Sequence, residues 1–264
     1  MKSPIKYFGG KNGFANRILE YFPQDYEKMS YIEPFCGSAA MLFHKKRSQV
    51  EIINDIDNNI YSLFKVLIDK DLFKQFKDMC DLTPYSEKLL KEFSQELKND
   101  IGILERAYKF FYCNRVSYNG IGGFSSSDVV RRNMSKSVSD YLSAIDGLYE
   151  IHNRISGVIV HNTDGIKLIE KWDKENTFMY LDPPYALETR SSGRYKHDMT
   201  NEDQDRLLKT LLSINNAKVL VSGYNCDRYS ILVNNGWKRI DMEIKTQNNN
   251  RVGKLKIESL WFNY

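Results

Sequence analysis

Short apolar runs alternate with stretches of helical spacing toward both ends of the chain, while the middle is mainly of helical spacing, broken by one polar loop. Residues 12–21 carry apolar positions at helical spacing and predict a first helix closed by Phe22-Pro23. Residues 30–33 then read as a strand, Pro34-Phe35-Cys36-Gly37 as a turn, and Ser38 as the cap of a helix to about residue 47. Val50-Glu51-Ile52-Ile53-Asn54 is a short β-branched strand that stops at Asp55. Strand, turn, helix, strand is the first half of a doubly wound α/β sheet.

Residues 57–114 change to helical periodicity, with Leu63, Phe64, Leu67, Leu72, Phe73 and Phe76 in one stripe. The Gly, Ser and Asn-rich residues 116–139 read as a loop or small hairpin, followed by a helix to about residue 155. Strands return at 157–160, 178–181 and 218–221, with helices at 166–172 and 202–212 between them. Residues 237–246 and 255–262 form a strand pair around Asn248-Asn249-Asn250, which adds an antiparallel hairpin to a parallel sheet. The expected organisation is therefore a Rossmann-like α/β sheet built from 1–56 and 156–264, with 57–155 as an inserted helical domain.

Composition narrows the classes. With 264 residues and 42% of them hydrophobic, the chain is long enough to bury a substantial core. A net charge of +4 neither demands nor excludes a polyanionic partner, so local clusters decide that question. Cys36, Cys80, Cys113 and Cys226 form no C-x-x-C pair, and His44, His152, His161 and His197 are scattered, so neither metal nor disulfide framework is expected. The first ten residues lack an apolar signal region and no segment has the length of a membrane span, which predicts a cytoplasmic protein.

Leu181-Asp182-Pro183-Pro184-Tyr185 is the sharpest chemical signal, because ligands of open α/β sheets bind where strands end. The bland alternative is a strand-terminating turn. The chemical one is methyl transfer to a planar exocyclic amine such as adenine N6, whose lone pair is delocalised into the ring. Two acceptors aimed at its two protons, the Asp182 carboxylate and the Pro183 carbonyl, localise that pair, and Tyr185 stacks on the base.

Glu33-Pro34-Phe35-Cys36-Gly37-Ser38 places one glycine directly after the first strand. G-x-G-x-x-G and G-x-x-x-x-G-K-[ST] are both absent, so a cofactor without phosphates fits better. Asp55 closes the second strand, where an acid holds ribose hydroxyls, although many surface turns also carry aspartate. Arg115, Arg131, Arg132 and Lys136 accompany Tyr118 and Phe124 on one loop, and Arg190, Arg194 and Lys196 accompany Tyr195 on another. Such basic, aromatic loops suit nucleic acid, or they are ordinary solvated loops.

Residues 7–11, the Glu33 to Ser38 motif, Asp55, Asn114-Arg115 with Tyr118-Asn119-Gly120, and Asp182-Pro183-Pro184-Tyr185 together resemble the Dam-type DNA adenine methyltransferases of the D12 class, α group. The resemblance covers nearly the whole chain in one order. It implies an S-adenosylmethionine-dependent methyltransferase sheet and adenine-N6 methylation of double-stranded DNA by base flipping. It further implies a monomer or weak dimer in a prokaryotic or phage-infected cell, within or outside a restriction-modification pair.

Tyr7, Lys11, Glu33, Asp55 and Asp182 then line the cofactor site, with Phe35 and Gly37 beneath it and Asp164 as a further contact. Tyr118 and Asn119 enter the duplex, while Arg115 touches phosphate. Members that read GATC carry an arginine shortly after the Asn-Gly step, where this chain has Gly122-Gly123-Phe124. That departure points away from GATC and leaves Arg131 or Arg132 to read guanine. Two other readings stay open: methylation of cytosine N4 or a glutamine amide, whose enzymes more often carry Ser or Asn at the Asp182 position, and a DNA-binding regulator without turnover.

Overall fold

The computed structural model describes residues 1–7, 10–185, 198–245 and 255–264. In chain order, α1 (Ala15–Leu19) precedes β1 (Ser30–Glu33), α2 (Ala40–His44) and β2 (Val50–Asn54). Helices α3 (Asn58–Ile68), α4 (Lys70–Asp81), α5 (Glu87–Glu96) and α6 (Ile103–Val116) follow, then the two-residue strands β3 (Val130–Arg131) and β4 (Met134–Ser135). After α7 (Lys136–Asp146) and α8 (Leu148–Ile155), strands and helices alternate: β5 (Ile159–His161), α9 (Gly165–Lys171), β6 (Thr177–Leu181), α10 (Asn201–Leu212), β7 (Lys218–Gly223) and α11 (Ser230–Asn234). The last two strands are β8 (Lys238–Lys245) and β9 (Leu255–Phe262).

Seven strands form one sheet in the order β5-β2-β1-β6-β7-β9-β8. β1 pairs parallel with β2 and β6, and β6 parallel with β7, whereas β9 runs antiparallel to both β7 and β8. Mixed α/β architecture with a C-terminal antiparallel hairpin is what the sequence pattern predicts. All five residues of β6 are buried, which explains why Thr-Phe-Met-Tyr-Leu reads as a continuous apolar run without alternation.

Contacts divide the chain into two compact units. The sheet unit comprises 14–36, 45–56 and 161–264; its core joins Ile32, Ile52, Met179 and Val219 of the strands to Ile169 of α9 and Leu207 and Leu211 of α10. The helical unit comprises 1–13, 37–44 and 57–160. Its helices bury Phe64, Leu67 and Phe111, and Phe76 of α4 meets Phe111 of α6 edge-on at 5.5 Å. Aspartates start two of them: Asp57 accepts from the Asn59 amide, and Asp69 from those of Asp71 and Leu72.

Two expected helices come out shorter. Residues 12–21 yield a 3-10 turn at Lys11–Gly13 and only then α1, because Phe14 at φ −142° interrupts the run. The helix expected from Ser38 to about residue 47 spans only Ala40–His44, since Ala39 adopts φ +53° and the chain is still turning there. Gly147 similarly divides the helix expected up to residue 155 into α7 and α8.

Candidate active site

The parallel register sets Glu33 beside Ile53, Ile32 beside Met179, and Leu181 beside Val221. Residues that follow these strands therefore share one edge of the sheet: Phe35 and Cys36 after β1, Asp55 after β2, Asp182 after β6 and Tyr224 after β7. Asp182 is half-buried. Ser222 of β7, 1% exposed, places Oγ 3.2 Å from Asp182 Oδ1 and 2.8 Å from Tyr180 Oη. Burial, reinforced by Asp182, pushes the Tyr180 hydroxyl well above its usual range, so it stays protonated. Tyr180 donating to Ser222 leaves the Ser222 proton for the Asp182 carboxylate.

Pro184 and Tyr185 are each held by a hydrogen bond. The Pro184 carbonyl accepts from Gln204 Nε2 of α10 at 2.7 Å, and Gln204 Oε1 in turn accepts from Tyr229 at 3.0 Å. Tyr185 is 7% exposed; its hydroxyl donates to the buried Glu258 Oε1 of β9 at 2.7 Å, and its ring meets Tyr224 edge-on at 4.6 Å.

Asn54 joins the loops after β1, β2 and β5. Its Nδ2 donates to the Pro34 carbonyl at 2.8 Å and the Thr163 carbonyl at 3.0 Å, while Oδ1 accepts from the Thr163 amide at 2.9 Å. Phe35 lies so close to Gly165 that a Cβ there would stand 2.5 Å from its Cε1. Glu33 is buried and accepts from the Tyr31 hydroxyl at 2.7 Å. Burial, aided by Asp55 and Glu33, pushes the Cys36 thiol well up, which makes it an inert packing residue. The Asp55 carbonyl accepts from Asn162 Nδ2 at 2.8 Å.

Asp164 has a role that sequence reading misses. Its Oδ1 caps α9, accepting from the Ile166 amide at 2.8 Å and the Lys167 amide at 3.4 Å, and Oδ2 pairs with Arg206 Nη2 at 2.6 Å. Burial raises its pKa, but Arg206 and the two amides outweigh that and hold it below the usual carboxylate value.

In the helical unit, Gly37 adopts φ +48°, and a Cβ on it would lie 2.7 Å from the Tyr7 ring. Only glycine fits there. Lys11 is buried. Asn114 clasps the Lys6 backbone, accepting from its amide at 2.8 Å and donating to its carbonyl at 2.7 Å. Lys6 Nζ then reaches the carbonyls of Arg115 at 3.0 Å and Ser117 at 3.2 Å, beyond which Tyr118 and Asn119 stand exposed. Arg115 Nε is buried without a hydrogen-bond partner among the described residues. Arg132 and Asn133, at φ +53° and +57°, form the left-handed turn between β3 and β4, and Arg131 pairs with Asp140 at 2.6 Å. Arg190, Arg194 and Lys196 lie outside the described residues.

Among the described residues, no group of His, Cys, Asp or Glu is placed to hold a metal ion. No helix described is long and apolar enough to cross a membrane.

Residues 7–248 match the family model of the D12 class N6 adenine-specific DNA methyltransferases. The chain belongs to this family. Similar proteins are the Type II methyltransferase M.MjaIII of Methanocaldococcus jannaschii, 26% identical over 88% of this chain and 88% of its own length, and the Type II methyltransferase M.CviBI of Paramecium bursaria Chlorella virus NC1A, 23% identical over 70% of this chain and 69% of its own. The DNA adenine methylase of Escherichia coli K12 is 21% identical over 69% of this chain and 64% of its own length. As a D12-class enzyme, the chain carries Asp182-Pro183-Pro184-Tyr185 at the end of β6.

Three residues around that motif escape sequence reading. Ser222 and Gln204 look like ordinary strand and helix positions. Glu258 leaves one signal, a carboxylate at an inward position of a strand that also buries Leu260.

Proposed function

We propose that this D12-class enzyme transfers a methyl group from S-adenosylmethionine to N6 of an adenine flipped out of double-stranded DNA. The observation that supports the reading most directly is Asp182, half-exposed at a strand end and oriented by a serine that is itself backed by a buried tyrosine.

The donor set suits this cofactor: the Asp55 carboxylate offers acceptors for ribose hydroxyls and Phe35 offers an aromatic face, while the turn after β1 has one glycine in place of a phosphate-binding fingerprint. Glu33 and Asp164 are assigned to the same cofactor, with Glu33 held by Tyr31 and Asp164 by Arg206. Tyr7, Lys11 and Gly37 are assigned to the same cofactor on the family resemblance alone. When bound, the cofactor supplies an electrophilic methyl on a sulfonium.

Asp182 accepts one N6 proton and the Pro183 carbonyl the other, which concentrates the nitrogen lone pair along the line of attack and stabilises the positive charge that grows on nitrogen. Pro184, tied to Gln204, keeps that carbonyl from swinging away. Tyr185, anchored by Glu258, stacks on the base. On the DNA side, residues 57–155 act as the target-recognition part: Arg115 holds phosphate, Tyr118 and Asn119 enter the gap, and Arg131 or Arg132 reads guanine. Arg190, Arg194 and Lys196 add phosphate contacts. The active form is a cytoplasmic monomer or weak dimer.

Incubation with labelled S-adenosylmethionine and mixed-sequence DNA, followed by mass analysis of the nucleosides, tests the proposal. N6-methyladenine is expected, and Asp182→Ala should lower its rate at least ~100-fold. N4-methylcytosine, or methylglutamine in a protein substrate, would replace it.

A further inference from the structure

One acidic residue in the helical unit is set against four cations. Asp140, on α7, uses both carboxylate oxygens: Oδ1 accepts from Arg131 Nη1 at 2.6 Å and Oδ2 from Lys136 Nζ at 2.7 Å. Arg131 leads into the left-handed turn of the β3–β4 hairpin, and Lys136 lies one helical turn before Asp140. Lys6 and Arg115 belong to the same electrostatic cluster. Burial depresses the pKa of both and Arg115 depresses Lys6 further, whereas Asp140 acts in the opposite sense on each. Lys6 Nζ also holds the carbonyls of Arg115 and Ser117, just before the exposed Tyr118-Asn119 turn.

The two ion pairs are open to water: the side chains of Arg131, Lys136 and Asp140 are 50%, 52% and 36% exposed. Pairs this exposed contribute little to folding and exchange readily with other anions. What they do accomplish is neutralisation. A carboxylate that engages an arginine and a lysine together presents to them the same acceptors as a backbone phosphate.

Resting on the DNA-methyltransferase reading, we propose that Asp140 is a specificity residue that competes with DNA for Arg131 and Lys136. On non-specific duplex, each phosphate contact made by these cations replaces a contact they already have and brings a phosphate toward the Asp140 carboxylate. The gain is small, and Arg131 stays on Asp140. At the recognition site, a base edge with two acceptors, as guanine presents, takes Arg131 away from the single oxygen it holds in the free protein. Asp140 therefore lowers affinity for all DNA and lowers it most where no such base edge is offered.

The test compares wild type, Asp140→Asn and Asp146→Asn. The last makes the same change of charge on the same helix, at an exposed position. Binding to a duplex of scrambled sequence is measured between 50 and 200 mM salt, and methylation is measured at the site the wild-type enzyme prefers and at scrambled adenines. If Asp140→Asn frees two cations for phosphate, its affinity for scrambled duplex falls roughly tenfold more steeply across that salt range than that of the wild type. Its preference for the cognate site falls several-fold, and its melting temperature stays the same. Identical behaviour of Asp140→Asn and Asp146→Asn, with wild-type methylation intact, overturns this inference alone. Absence of any methyladenine from the wild-type reaction overturns the underlying reading together with it.

Discussion

Tyr185 donates its hydroxyl to Glu258 Oε1 at 2.7 Å, across 73 residues of sequence, and so ties the last residue of the strand-end motif to the antiparallel strand β9. Tyr185→Phe keeps the ring and leaves a buried carboxylate one donor short, a loss of about 1–3 kcal/mol. The melting temperature should fall by several degrees. The methylation rate should fall less than in Tyr185→Ala, which also removes the ring; thermal unfolding and single-turnover assays on both variants check this.

Ser222 Oγ donates to Asp182 Oδ1, so Ser222→Ala removes the donor that orients the carboxylate. On the proposed mechanism, kcat drops roughly tenfold, one hydrogen bond to a charged group, while the KM for the cofactor changes little. A change confined to KM would show that Ser222 serves binding instead of orientation.

Gly165 lies under Phe35, and an added Cβ would stand 2.5 Å from the ring and 2.9 Å from the Pro34 carbonyl. Gly165→Ala must push Phe35 off its seat, at a cost of about 1–3 kcal/mol in stability. Cofactor affinity, read by calorimetry, should weaken with it. Gly157→Ala is the contrast: φ +90° strains it but nothing lies within 4 Å, so it should lose stability without losing affinity.

Arg206 and Asp164 set a pH dependence. With the folded pKa of Asp164 held below its usual 3.8 by Arg206 and the α9 amides against the effect of burial, the carboxylate contributes stability that is present above the unfolded value and is lost as pH falls through the folded one. Arg206→Met should bring the folded value back toward the unfolded one. Melting temperatures of the two proteins should therefore differ from neutral pH down to about 4 and converge at lower pH.

Much of the sheet and the central chemical motif is legible in the sequence because both are local. Strand β1 and strand β2 occupy the residues their apolar runs predict, and the Asp182 motif stands out because a carboxylate and two prolines end an otherwise buried run. Helix ends are less legible. Ala39 at φ +53° and Phe14 at φ −142° carry no marker in their residue types, so the periodic pattern runs past the residues where the helices begin.

The supports of the site depend on long-range pairing. Ser222 and Glu258 acquire their roles only because β7 is registered beside β6 and β9 beside β7, and Asp164, a local cap of α9, meets Arg206 only through the fold. The Lys136–Asp140 pair could be read from its spacing of four, but Arg131 joins it only through the hairpin turn. The amino-acid order alone determined which segments pair or coil and where a reactive carboxylate would emerge, because periodicity and strand termination are properties of neighbours along the chain. Tertiary structure decided which buried groups hold that carboxylate and which acid neutralises the basic cluster, because a hydrogen bond depends on distance in space, and sequence separation does not encode it.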